Sequence, residues 1–154
     1  AADGRDRARR AGGGVALMTL VVGIDPGVNT GFAVWDKKAQ WLLDVTCLSV
    51  IEAFDRLDAM LNGGAQIEVR FEDARLRTWF ANKGREALQG AGSIKRDCLL
   101  WETWLQSRGV PYKAIKPAAG ATKWDAAKFQ RITGWTKRTN EHARDAALLC
   151  FGVK

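Results

Sequence analysis

The chain has 154 residues, a formal net charge of +7, 47% hydrophobic and 27% charged residues. That is enough apolar material for one compact domain with a core, and it excludes an intrinsically disordered chain. No apolar run is long enough to span a bilayer, and the N-terminal arginines precede an apolar stretch too short for a convincing signal peptide.

Residues 1–17 read as a tag or disordered arm, with Met18 as the expected natural start and residues 18–154 as the folded domain. The arm holds four arginines and two aspartates, net +2, so the remainder keeps +5 of the +7. The folded part is itself basic, and with a pI of about 9.7 it suits a polyanionic partner, of which nucleic acid is the commonest. Cys47, Cys98 and Cys150 are an odd, widely spaced set without a CxxC pair. They read as reduced core thiols of a cytoplasmic protein.

Leu20, Val21, Val22, Gly23 and Ile24 form a continuous apolar run, as a buried central strand requires. A turn rich in Gly, Pro and Asn follows over residues 25–31. Residues 32–35 and 41–48 read as two further strands joined by short turns, hence an antiparallel meander. Ser49 and Glu52 form a capping-box pattern. Ile51, Phe54, Leu57 and Leu61 continue it at helical spacing until Asn62, Gly63 and Gly64. Ile67, Val69 and Phe71 alternate as a fourth strand running into Glu72 and Asp73. Residues 75–92 are basic, glycine-containing and partly loop. A helix is expected over 94–106, a fifth strand over 110–115, a short helix over 123–132 capped by Thr122, and a last helix over 140–151. The order predicts an α/β fold: a five-stranded mixed sheet, three antiparallel strands and then two parallel ones, flanked by helices.

Acidic groups end the first and fourth strands, at Asp25 and Glu72, while His142 and Asp145 lie three apart on one face of the last helix. If the first and fourth strands are neighbours and the last helix packs beside them, all four groups converge. Clustered carboxylates repel one another unless a cation sits between them. Hard oxygen ligands select Mg2+ or Mn2+, and two such ions suit phosphodiester hydrolysis. Taken singly, Asp25 also fits an ordinary turn aspartate, Glu72 a surface charge, His142 a solvated or capping residue, and Asp145 a partner of Arg138 or Arg144.

The run Val22, Gly23, Ile24, Asp25, Pro26, Gly27, Val28, Asn29, Thr30, Gly31 resembles the opening strand and turn of the RuvC-type Holliday junction resolvases. Phe71–Glu72 resembles their second acidic position, residues 82–92 and the helix after them their Asn, Ala-Leu and Gly segment, and residues 112–117 the strand leading to a lysine, here Lys116. His142, Ala143, Arg144, Asp145 and Ala146 resemble the closing acidic pair, with histidine in place of the first aspartate. The likeness covers Met18 to the C-terminus, and the small size suits a phage or prophage member. It implies a ribonuclease H-like fold and a metal-dependent endonuclease that cuts four-way junctions in recombination and repair, acting as a homodimer in the cytoplasm. By the same resemblance Asp25, Glu72, His142 and Asp145 hold two Mg2+ ions, with Mn2+ as substitute, and Lys128 stabilises the phosphate transition state. Lys116 and Lys123 contact DNA. Trp79 and Phe80, in a basic segment with Arg75, Arg77 and Lys83, are candidates for stacking on an opened base. The helix over 94–106, through Leu100, Trp101 and Trp104, is the expected dimer contact.

Some alternatives stay open. Asp73 follows Glu72 directly, so strand register decides which points inward. A histidine is less typical of Mg2+ than of softer ions, so His142 also fits a role in orienting water or carrying a proton. The site equally serves other branched DNA or an RNA–DNA hybrid, and a non-cleaving junction-binding protein is a rival of another class. An actin-like ATPase is disfavoured: it needs two domains, and the chain has no Walker loop.

Overall fold

The computed structural model describes residues 17–77, 85–117 and 123–154. All but the last residue of the expected N-terminal arm, together with Trp79, Phe80, Lys83 and Thr122, lies outside the described residues. Among those described, the chain runs β1 (Thr19–Asp25), β2 (Thr30–Asp36), β3 (Trp41–Leu48), α1 (Val50–Asn62), β4 (Gln66–Glu72), a 3-10 turn (Ala74–Leu76), α2 (Arg85–Ser107), β5 (Tyr112–Ile115), α3 (Ala126–Thr133) and α4 (Glu141–Cys150). The strands form one sheet in the order β3-β2-β1-β4-β5. β1–β2 and β2–β3 are antiparallel, whereas β1–β4 and β4–β5 are parallel. The expected mixed sheet is thus present, with β1 and β4 side by side. No helix among the described residues is long and apolar enough to cross a membrane.

Alternation along the strands divides the core in two. Leu20, Val22 and Ile24 of β1 and Ile67, Val69 and Phe71 of β4 face α1 and α2, where they pack with Leu57, Cys98, Trp101 and Leu105. Val21, Ala33, Trp35, Leu42 and Val45 face the other way, against Phe129 of α3 and Ala143, Ala146, Ala147 and Cys150 of α4. The cysteines are free; Cys98 and Cys150 are buried core thiols as expected, whereas Cys47 is half-buried and outside both clusters.

Local signals explain most boundaries. Ser49 Oγ accepts from Glu52 N at 3.3 Å and Glu52 Oε2 accepts from Ser49 N at 2.8 Å, so the capping box opens α1 as expected. Two helices start elsewhere than predicted. α2 begins at Arg85, well before Ile94, and runs through Gly90 and Gly92. Each glycine costs roughly 1 kcal/mol of helix propensity. Fully burying Trp101 and Leu105 farther along the same helix is worth about 2 kcal/mol per side chain and offsets that. α3 begins at Ala126, where Asp125 accepts from Lys128 N at 2.7 Å as the cap, so Lys123 precedes the helix.

The dimer expectation also needs correction in one residue. Trp101 is only 1% exposed in the single chain and belongs to the core, since α2 turns it onto Phe54 with ring centroids 4.6 Å apart. Trp104 stacks on the same ring at 4.7 Å. Among the described residues, the large apolar side chains that α2 leaves exposed are Ile94, Leu99 and Leu100.

α4 lies unusually close to the sheet. A Cβ on Gly23 would sit 1.9 Å from the Ala146 carbonyl oxygen, and one on Gly31 would sit 2.0 Å from that of His142. Backbone oxygens of a packed helix have no rotamer with which to escape. Gly23→Ala is therefore expected to cost about 2–3 kcal/mol by overpacking, whereas Gly92→Ala, helical with open space around it, should stabilise by about 0.5–1 kcal/mol. Urea unfolding of the two variants checks this; a Gly23→Ala midpoint equal to the wild type's would refute the close approach.

Candidate metal-dependent active site

Register places the acidic groups. Ile24 pairs with Phe71 across β1 and β4, so Asp25 and Glu72 are the next residues along two parallel neighbours. Asp25 is two residues beyond Gly23 and so shares the face against which α4 packs. Glu72 alternates with Phe71 and projects to that same face. The turn after Asp25 is closed by Thr30, fully buried, whose Oγ1 donates to the Gly27 carbonyl at 2.7 Å. Asn140 caps α4 by accepting from Ala143 N at 2.9 Å, which fixes the first turn of the helix above Gly31.

His142 in that turn donates from Nδ1 to Asp25 Oδ2 at 2.9 Å. A neutral ring held so keeps its lone pair on Nε2. Asp145, one turn on, accepts from Lys123 Nζ at 3.1 Å, and Lys123 also pairs with Glu141. Burial is the main cause that raises the Asp25 carboxyl above the usual aspartate range; the His142 hydrogen bond opposes it and the Asp145 charge adds to it. Glu72 is likewise raised, first by burial and then by the Asp25 charge, with Arg77 and Lys123 acting against. Three carboxylates from β1, β4 and α4 thus feel one another at a partly desolvated spot.

Asp73 takes the opposite face. It is 2% exposed, and its carboxylate accepts from Arg75 N at 2.9 Å and, through both oxygens, from the Arg75 guanidinium at 2.6–3.1 Å. Arg75 reaches Glu102 of α2 at 2.9 Å as well. Burial opposes ionisation of Asp73, but the Arg75 contacts outweigh it and hold the carboxyl below its ordinary range. Register therefore separates the neighbours: Glu72 faces the acidic cluster and Asp73 is neutralised by a structural ion pair.

The remaining candidates divide. Arg75, an expected DNA contact, has its guanidinium paired with two carboxylates of the chain itself. Arg77 is exposed and acts on Glu72. Lys116 is exposed just beyond Ile115, the register partner of Glu72. Lys128 lies over the Trp124 ring at 5.5 Å, on a helix that packs against the α4 face of the sheet. Arg144 donates to the Trp124 and Thr139 carbonyls rather than to Asp145. Sequence reasoning missed Glu141, although it lies at i,i+4 from Asp145 and so beside it on α4. Arg138, read from the sequence only as a candidate partner of Asp145, lines an open pocket of about 340 Å³ between β3 and the start of α4, with Val45, Thr46, Cys47 and Asn140 among its neighbours.

Among the described residues, no three potential ligands are drawn close enough to enclose an ion as they stand. The chemistry of the donor set nonetheless fits a divalent cation: oxygen-rich, mutually repelling, and partly desolvated. No model of a known protein family and no curated protein matches the sequence.

Two measurements test this electrostatic division. In EDTA, Glu72→Gln should raise the melting temperature at pH 7, because a carboxyl with a raised folded pKa disfavours the folded state once ionised; the gain should vanish below about pH 4, and a destabilised variant would contradict the repulsion. Arg75→Ala should cost about 2–3 kcal/mol at pH 7 by leaving Asp73 buried and unpaired. Arg75 holds the folded pKa of Asp73 below its ordinary value of 3.8, whereas burial alone raises it, so the difference should be fully present at pH 7, begin to shrink as pH falls through the raised value of the variant, and be largely gone below the depressed value of the wild type. Urea titrations at pH 7 and pH 3 check the sign.

Proposed function

We propose that the chain is a metal-dependent, structure-selective DNA endonuclease that cuts four-way junctions, in the manner of the RuvC-type resolvases it resembles. The observation that carries the reading is the meeting of Asp25, Glu72 and Asp145, with His142, at the carboxyl ends of two parallel strands under one helix. A cluster of this composition is costly to the fold unless a cation uses it. Asp25, Glu72 and Asp145 would hold the metal, with His142 Nε2 as a fourth donor or as the group that takes a proton from water. Two bound Mg2+ or Mn2+ ions supply an activated water and a counter-charge for the leaving oxygen.

The chain's own residues do the rest. The Asp25 carboxylate orients the His142 ring. Arg77, Lys116, Arg138 and Lys128 supply positive charge around the acidic centre for the phosphate backbone, and Trp79 and Phe80 are assigned to stacking at the opened junction centre. A junction has two-fold symmetry and needs paired cuts, which a homodimer with two active sites would deliver; the exposed Ile94, Leu99 and Leu100 of α2 offer the apolar contact. The cytoplasm of a bacterial or phage-infected cell is the compartment where such a substrate arises.

The decisive experiment incubates the protein with a labelled four-way junction, a matched duplex and an RNA–DNA hybrid, in Mg2+, Mn2+ or EDTA. Paired, metal-dependent cuts near the junction are expected, and Asp25→Asn should lower the rate at least about a thousandfold. Equal cutting of duplex or hybrid would remove the junction selectivity. Tight junction binding without cleavage in either metal would overturn the enzyme and leave a structural DNA-binding protein.

A further inference from the structure

Within the acidic cluster one cation is already present, and it is covalently part of the chain. Lys123 Nζ lies 3.1 Å from Asp145 Oδ2 and pairs with Glu141 one turn earlier on α4. The side chain is 59% exposed, so it is hinged at the solvent edge of the site and not locked into the core. Asp125, not Lys123, caps α3, so no helix geometry fixes the Lys123 backbone.

We propose that Lys123 is the resident counter-ion of the acidic cluster, which a divalent metal must displace from Asp145, and that the displaced ammonium then serves as a contact to the phosphate backbone of the DNA. The proposal rests on reading the cluster as a divalent-metal nuclease centre. The physical reason is competition: an ammonium and a divalent ion cannot both sit against the same carboxylate oxygen at contact distance without repelling each other. Asp145 therefore exchanges one cation for another. Glu141, outside the candidate ligand set, would keep a partner for Lys123 at the rim and shorten its path between the two positions. A lysine is fitted to this, being a compact charge on a flexible stem. The same exchange would keep the cluster neutralised while no metal is bound, and would make the positive charge available to DNA only once the site is loaded.

The consequence has opposite signs on two ligands. Lys123→Met should tighten Mn2+ binding, measured by isothermal calorimetry with the metal alone, by about three- to tenfold, as expected for removing a partly exposed ion-pair competitor. The same variant should weaken binding of a four-way junction in Ca2+ and reduce the salt dependence of that binding by about one counter-ion. Lys123→Arg, which keeps the charge, should bind Mn2+ like the wild type. Circular dichroism melts confirm that the variants are folded. Equal Mn2+ affinity in the wild type and Lys123→Met, or weaker affinity in the variant, would overturn the exchange while leaving the metal centre standing. Unchanged junction binding would overturn the second half of the proposal. Absence of Mn2+ binding in every form would overturn the metal centre itself, and the exchange with it.

Discussion

The closeness of α4 to the sheet is the constraint on which the rest depends. Gly23 and Gly31 lie beneath carbonyl oxygens of Ala146 and His142 with no room for a methyl group, and the helix answers with Ala143, Ala146 and Ala147. Small residues on both surfaces bring backbone to backbone. A helix of larger side chains would stand farther off, and His142 could not reach Asp25 at 2.9 Å. The glycines flanking Asp25 in the opening motif thus have a steric meaning apart from turn formation. Gly31 is the register partner of Asp25, so the residue that clears space for the helix is paired with the residue the helix must meet.

The end of β4 shows how the fold separates two adjacent acids. Strand alternation sends Glu72 to one face and Asp73 to the other. Asp73 is given a bidentate arginine and a backbone N–H, so its charge is satisfied within the chain. For Glu72, burial and the like charge of Asp25 outweigh the opposing charges of Arg77 and Lys123. One carboxylate strengthens the fold and the other weakens it, and the weakening is concentrated where a ligand could relieve it, which is the pattern expected of a functional centre and not of a surface ion-pair network. The Asp73–Arg75–Glu102 bridge also ties the exit of β4 to α2, while the Cys98 thiol donates to the Glu72 carbonyl at 3.7 Å. The backbone that carries Glu72 is therefore held from the opposite face of the sheet.

Much of this was legible before any coordinates. Continuous apolar runs, period-two alternation and the capping box at Ser49 located the strands and α1, because each is a local signal with a local cause. The sequence makes the meeting of Asp25 and Glu72 conditional on β1 and β4 being neighbours, and the parallel pairing of those strands meets the condition. What escaped was set by tertiary contacts. Gly90 and Gly92 read as loop, yet α2 includes them because its buried face farther along carries the helix. Trp101 and the exposed Leu100 are adjacent apolar residues, and only the direction in which the helix faces α1 distinguishes core from surface. Arg75 looked like one more basic residue beside a basic loop; the short Asp73-x-Arg75 spacing was the available sign that it turns back on its own strand. A cap at Thr122 would put Lys123 in the helix, but the cap is Asp125, which leaves Lys123 before the helix and paired with α4.

Within the metal-centre reading, a histidine and not a carboxylate at position 142 has a physical logic. The Asp145 charge already raises the proton affinity of Asp25 and Glu72, and the Asp25 charge that of Glu72; a fourth carboxylate would add repulsion that grows as the site loses water. An imidazole contributes a donor without a charge. Its Nδ1–H also satisfies one Asp25 oxygen, so the ligand carboxylate and the ring orient each other, as carboxylate–histidine pairs do at metal centres. The exchange has a chemical cost: nitrogen donors favour softer, later ions over Mg2+. A set of three carboxylates and one imidazole therefore shifts preference toward Mn2+ relative to an all-carboxylate set, while its net charge, one unit less negative, lowers affinity for any divalent ion. With less attraction to spare, a single tethered ammonium at Asp145 becomes an effective competitor. On that reading the histidine and the lysine would act on the same balance between cation affinity and the stability of the metal-free fold.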